Sequence, residues 1–218
     1  MNKGKFSLFF CLVALCGLAF AGSASAAALP SGTVLVPSPG EADPTGGAVI
    51  ASQSVPFSAA GAFSGVLTSK VISGDPSNAL GGLTFTYEIT NDGVSGPNSI
   101  GRLSVPDYTG WTVDASYQST SVGVVPGSID RQPSGEVVGF NFLPTPADPL
   151  TAFLAPGTGS RLLVLQTNAA AYGDVLASVI DGGVTQAKSY GPAVPEPSTL
   201  VLAACGALGL GLALRRRS

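Results

Sequence analysis

Leu83-Thr84-Phe85-Thr86-Tyr87-Glu88-Ile89-Thr90 is the stretch whose reading decides the fold class. Successive side chains of an extended chain point to opposite sides, so Leu83, Phe85, Tyr87 and Ile89 share one face and Thr84, Thr86, Glu88 and Thr90 the other. Asn91-Asp92-Gly93 follows as a turn signal, because glycine takes positive φ without steric cost. Outward from this run, similar short apolar or alternating runs recur at 65–72, 100–105, 112–118, 136–142, 161–167, 176–180 and 185–190. Turn clusters separate them: Ser73-Gly74-Asp75-Pro76, Ser95-Gly96-Pro97-Asn98, Pro126-Gly127-Ser128, Pro144-Thr145-Pro146 and Ala155-Pro156-Gly157. This pattern predicts an all-β fold, a single antiparallel β-sandwich of jelly-roll or Greek-key type. Residues 143–159, with four prolines, read as a long crossing between strands, and 168–174 as the one helical candidate. No fixed-period repeat is present, which argues against a solenoid or propeller.

The chain has 218 residues, of which 29 are Gly and 17 Pro, too many interruptions for a long-helix or coiled-coil protein. Its apolar excess is concentrated at the two ends. Lys3 and Lys5 precede an apolar run from Phe6 to Ala21, and Ala24-Ser25-Ala26 supplies the small residues that a signal peptidase pocket admits, so 1–26 reads as a signal peptide with Ala24 and Ala26 at its cleavage site. Cys16 raises a lipoprotein reading, but Leu15 stands before it where a small residue is wanted. Residues 27–52, rich in Pro, Gly and Ala, read as a flexible leader carrying one short strand at 33–36. Residues 53–193 read as the sandwich body.

At the other end, Val194-Pro195-Glu196-Pro197-Ser198-Thr199 precedes an apolar run from Leu200 to Leu214 and then Arg215-Arg216-Arg217-Ser218. At ~1.5 Å per residue the run reaches roughly 22 Å as a helix, short of a ~30 Å hydrocarbon core. Thr199 and the arginine stems can fill out its ends, and Arg215, Arg216 and Arg217 would hold the tip in the cytoplasm as a membrane stop. Segment 194–218 resembles the PEP-CTERM sorting tail of exported bacterial proteins. The resemblance implies a Gram-negative bacterium that makes exopolysaccharide. It also implies processing near Pro195-Glu196-Pro197 by an exosortase, a membrane-embedded cysteine protease and transpeptidase-like enzyme. The apolar tail would then be removed, as in a lipid-anchored protein whose C-terminal span is cut away. A plain single-span anchor is the other reading of the same residues. The runs 84–92, 100–105 and 178–183 also resemble the β-rich bodies of proteins bearing this tail.

Between the ends the chain has no histidine and no cysteine, since Cys11, Cys16 and Cys205 lie in the end segments. No disulfide framework is available. Ser-His-Asp and Cys-His mechanisms are impossible, as are zinc or copper sites of the usual N/S type. The body carries five basic residues, Lys70, Arg102, Arg131, Arg161 and Lys188, against twelve acidic ones, a net charge of −7. Such a surface repels phosphate backbones, so no nucleic-acid partner is expected.

Three kinds of chemistry survive. Ser69-Lys70 and Lys188-Ser189 are sequence neighbours that point to opposite faces of a strand, which disfavours a Ser-Lys pair. A carboxylate pair for glycan hydrolysis has no selected members, since Asp43, Asp75, Asp92, Asp107, Asp148, Asp174 and Asp181 sit in turn-like surroundings where aspartate bonds its own backbone. Calcium could use Asn91-Asp92-Gly93, or Asp174 with Asp181, but no EF-hand or Gly-Asp repeat is present, so neither a cofactor nor a metal is expected. Tyr108 and Trp111, in Asp107-Tyr108-Thr109-Gly110-Trp111-Thr112, are candidate glycan contacts, because an aromatic face stacks on the apolar face of a sugar ring. Trp111 at the start of a strand reads more readily as a core residue.

The sequence thus predicts a non-enzymatic exported protein. Its partners would be signal peptidase, exosortase, the inner membrane transiently, and exopolysaccharide or a cell-surface matrix. Its body would pass from the periplasm to the outer surface in a structural or adhesive role. A carbohydrate-binding module of the same fold is the second reading and a carboxylate-dependent hydrolase the third.

Overall fold

The computed structural model describes residues 27–37, 46–143 and 153–193. The signal peptide, the sorting tail, the middle of the leader and the centre of the proline-rich crossing lie outside those residues. Twelve strands are formed in chain order: β1 Ala27–Ala28, β2 Val34–Leu35, β3 Ala48–Ala59, β4 Phe63–Ser73, β5 Thr84–Asn91, β6 Arg102–Val105, β7 Val113–Tyr117, β8 Ser128–Arg131, β9 Val138–Asn141, β10 Leu163–Thr167, β11 Tyr172–Ile180 and β12 Val184–Pro192. They make two six-stranded sheets, ordered β1-β7-β10-β5-β4-β3 and β12-β11-β6-β9-β8-β2. Every pairing between strands is antiparallel. The described residues are all-β and contain no α-helix.

The two sheets share one core, a sandwich-like arrangement. The first sheet supplies Phe63, Leu67, Phe85, Tyr87, Ile89, Leu163 and Leu165, and the second Leu103, Val105, Ile129, Phe140, Val175, Ala177 and Val179, all in one buried cluster. The inward face of β5 is the alternating set of the opening stretch, with Phe85, Tyr87 and Ile89 fully buried. Its outward face is less simple, because Thr84 and Thr86 are buried too. The loop between β4 and β5 folds back over this part of the sheet, and the Thr84 hydroxyl donates to Asp75 Oδ2 at 2.7 Å. The predicted turn after β5 is present: Gly93 has φ +68° and its amide donates to Asn91 Oδ1 at 3.1 Å.

Three sequence expectations are corrected. The leader 27–52 is not a free segment where it is described: β1 pairs with β7, β2 with β8, and β3 begins at Ala48 on β4. The short strand expected at 33–36 is Val34–Leu35. Segment 168–174 is not helical. It crosses from β10 in one sheet to β11 in the other, with the Ala169 amide donating to Thr167 Oγ1 at 3.2 Å, and Tyr172–Asp174 already belong to β11. Ser128, read as part of a turn, opens β8.

The proline within β3 has a physical reason. Val66, opposite Pro56, turns its amide and carbonyl toward Thr90 of β5, bonding the Thr90 hydroxyl at 3.3 and 3.4 Å. Pro56 therefore faces the open edge of the sheet, where its missing N–H breaks no ladder bond.

Candidate functional site

The sequence candidates centre on the connection 106–112 between β6 and β7, which passes from one sheet to the other. Asp107 adopts φ +73°, a left-handed conformation that aspartate tolerates better than most residues. This turns Tyr108 inward. Tyr108 is fully buried, so it cannot offer its ring to a sugar, and its place as a glycan contact is corrected. Its hydroxyl lies 2.7 Å from that of Tyr87, which donates to the Tyr190 carbonyl at 2.8 Å, and its ring packs edge-on to Phe85. A buried phenol needs such a partner, and the core supplies two. Burial pushes the ionisation of both phenols well above the ordinary tyrosine range, and for Tyr108 the neighbouring Tyr87 phenol pushes the same way.

Trp111 is half-buried and lines a cavity of about 250 Å³ together with Leu29, Pro30, Val113 and Arg131. Its indole Nε1 is buried, with no hydrogen-bond partner among the described residues. Arg131, which looked like one scattered cation in the sequence, is only 5 % exposed. It donates to four backbone carbonyls: Nε to Gly135 at 3.0 Å, Nη1 to Leu29 at 3.2 Å, and Nη2 to Tyr108 at 2.6 Å and Trp111 at 2.9 Å. One side chain thereby ties the N-terminal segment, the Trp111 loop and the β8–β9 turn together. Burial pulls its pKa below the usual arginine value, partly offset by Tyr108. No feature of the sequence around Arg131 signals this role, because its four acceptors come from three separate segments.

A second surface, on the outer face of the β12-β11-β6-β9-β8-β2 sheet, has no forerunner in the sequence reading. Arg102 on β6 lies flat across Gly139 of β9 to meet Asp130 on β8, Nη2 donating to Oδ2 at 2.9 Å. A Cβ at position 139 would collide with the guanidinium, so glycine is required by this close approach. Asn141 joins the pair, accepting from Arg102 Nη1 at 2.6 Å and donating to Asp130 Oδ1 at 2.7 Å. Burial raises the Asp130 pKa, but hydrogen bonds from Arg102 and Asn141 and the Arg102 charge outweigh it and hold the carboxyl below the usual range. Arg102, Ser104, Gln132, Leu176 and Ser178 line a shallow groove of about 290 Å³ beside this network. Further along β11 and β12, the rings of Tyr172 and Tyr190 meet edge to face at 5.6 Å.

Asp43 and Asp148 lie outside the described residues, and the other acidic candidates do not converge. Asp75 Oδ1 accepts from the Ser77 amide at 2.9 Å, and Asp92 Oδ1 from the Val94 amide at 2.9 Å and from the Ser64 hydroxyl, the local bonding expected of turn aspartates. Asp174 lies opposite Tyr190 and Asp181 follows Ile180, so the length of β11 separates the two as shared calcium ligands. Among the described residues no three His, Cys, Asp or Glu side chains come together in a way that would hold a metal ion.

Fold and site together define an all-antiparallel, two-sheet β protein whose chain leaves the body from an edge strand, β12. Its C-terminal segment places it further: residues 193–217 match the PEP-CTERM protein-sorting motif, and the chain carries that sorting domain. The match includes Val194, Pro195, Glu196, Pro197, Ser198, Thr199, Arg215, Arg216 and Arg217, the residues that carried the resemblance. The motif implies export, an exosortase as processing partner, and a surface or extracellular destination. No curated protein and no solved structure matches the chain.

Proposed function

We propose that this is a non-enzymatic surface or matrix protein with a structural or adhesive role beside exopolysaccharide. The single observation that carries the reading is the sorting motif at 193–217. Signal peptidase would cut after Ala26. The first strand starts at Ala27, so that cut leaves every described strand intact. The span would then hold the body transiently on the periplasmic side of the inner membrane, with Arg215, Arg216 and Arg217 in the cytoplasm, until exosortase cuts near Pro195-Glu196-Pro197. The body's −7 charge and lack of His and Cys support a role without catalysis and without nucleic acid or a bound cofactor. The direct test is the intact mass of the mature protein from its own bacterium, for wild type and Glu196→Ala. Loss of the tail in the wild type and its retention in the variant are expected. A full-length tail in both refutes the reading.

One observation keeps the carbohydrate-binding reading alive, the cavity beside Trp111. Glycan-array binding that disappears in Trp111→Ala would promote it.

A further inference from the structure

We propose that the end of the body from which the tail departs is a membrane-facing surface of the anchored precursor, with Trp111, Tyr172 and Tyr190 seated in the lipid interface. This rests on the transient-anchor reading above. The folded body continues to the edge of the motif: Pro192 is paired with Tyr172, and the Ala193 amide donates to the Ala171 carbonyl at 3.0 Å. Only residues 194–199 separate that bond from the apolar run that begins at Leu200. Fully extended they reach about 20 Å. The run itself is short: as a helix it covers roughly 22 Å of a ~30 Å core, so about five further residues, or the arginine stems, must make up the difference. Each spacer residue drawn in brings the body closer, and with several drawn in its end lies at headgroup depth.

The residues at that end suit such a position. Pro106 opens the Trp111 loop alongside the end of β12, its carbonyl close to Gly191. The β10–β11 connection lies at the same end, where Asn168 Oδ1 accepts from the Thr112 amide at 2.9 Å. Among the described residues four aromatic side chains are not buried: Trp111, Phe153, Tyr172 and Tyr190. Three of them are at the tail end: Tyr172 and Tyr190 pair an apolar ring with a polar tip and favour the membrane–water boundary, and Trp111, whose Nε1 is turned into the protein, presents only the apolar part of its ring. Phe153 lies at the other end, next to Leu154, which bridges to Ile100. Val49 and Ile50, 56 % and 46 % exposed, start β3 at the tail end. Charge does not supply the attraction, since Asp107, Glu136 and Asp174 are exposed there against Lys188. The tail supplies it by tethering: a short linker gives a local concentration on the order of mM, enough for a weak interfacial contact. The contact therefore exists in the precursor and is released when the tail is cut.

Trp111 is the chain's one tryptophan, so its emission reports this surface alone. The anchored precursor, residues 27–218 after removal of the signal peptide, is reconstituted in phosphatidylcholine vesicles containing a phosphatidylcholine spin-labelled on its headgroup. The expected result is loss of Trp111 emission in labelled but not unlabelled vesicles. The emission should recover when a Gly/Ser spacer of about 20 residues, with a root-mean-square reach of ~25 Å, is inserted between Ala193 and Val194. That insertion leaves the fold untouched, and Tyr172→Ser with Tyr190→Ser should weaken quenching in the unextended chain. Equal quenching with and without the spacer, or none in protein that floats with the vesicles, overturns the proposal. Failure to float with the vesicles overturns the anchor reading and this one with it.

Discussion

Replacing Arg131 with Met removes the guanidinium while keeping an unbranched apolar stem of similar length. Three of the four carbonyls that Arg131 serves, those of Leu29, Trp111 and Gly135, would lose their hydrogen bond, while the Tyr108 carbonyl still accepts from the Trp111 amide at 3.2 Å. A buried acceptor left without a donor costs about 1–3 kcal/mol. Against this stands relief from burying a cation that has no carboxylate partner: the Arg102–Asp130 pair is the only ion pair among the described residues. The net loss expected is about 3 kcal/mol, a large fraction of a domain's usual stability of ~5–15 kcal/mol. Urea unfolding followed by far-UV circular dichroism should show the midpoint falling by about 1–2 M with an unchanged slope. Arg131→Lys, with three donors on one nitrogen, should fall between the two. Residues 27–33 should become the first site of proteolytic nicking in Arg131→Met, because the Leu29 carbonyl is released. A midpoint within experimental error of the wild type would refute the idea that this side chain joins the segments.

Gly139→Ala should displace the Arg102 guanidinium and lose its pairing with Asp130, lowering stability by about 1 kcal/mol, with the fold retained by circular dichroism. Asp130 has a folded pKa below its unfolded value. Its contribution is therefore complete above the ordinary carboxylate range and lost as pH falls through the folded value, so the acid limb of the stability–pH curve should flatten in Asp130→Asn. Pro56→Val restores an outward N–H on a twelve-residue edge strand that carries no charge, and sedimentation should show self-association above that of the wild type as concentration rises. Identical sedimentation would mean that the proline does not guard the edge.

The strands that stood out in the sequence are those whose two faces differ in polarity, β5 above all, because a half-buried strand writes its environment into alternate residues. Strand β3, Ala-Val-Ile-Ala-Ser-Gln-Ser-Val-Pro-Phe-Ser-Ala, has little such contrast. It is a strand because β4, joined to it by residues 60–62, pairs with it over most of its length, which the residues of β3 do not show by themselves. The sorting tail was legible in full, since motif, apolar span and arginine cluster act as a linear signal that needs no partner from the rest of the chain. Tyr108 and Arg131 were not. An aromatic in a Gly-containing loop faces solvent or core according to whether its hydroxyl finds an acceptor, and here Tyr87 lies 21 residues away in sequence. An isolated arginine becomes a joint between segments only when folding brings the carbonyls of Leu29, Tyr108, Trp111 and Gly135 around it. The sequence by itself therefore determined the class of fold and where the protein is sent. Tertiary structure alone decided which loop residues are buried, which edge is guarded and which end of the body lies beside the tail, because each depends on contacts between segments far apart in the chain.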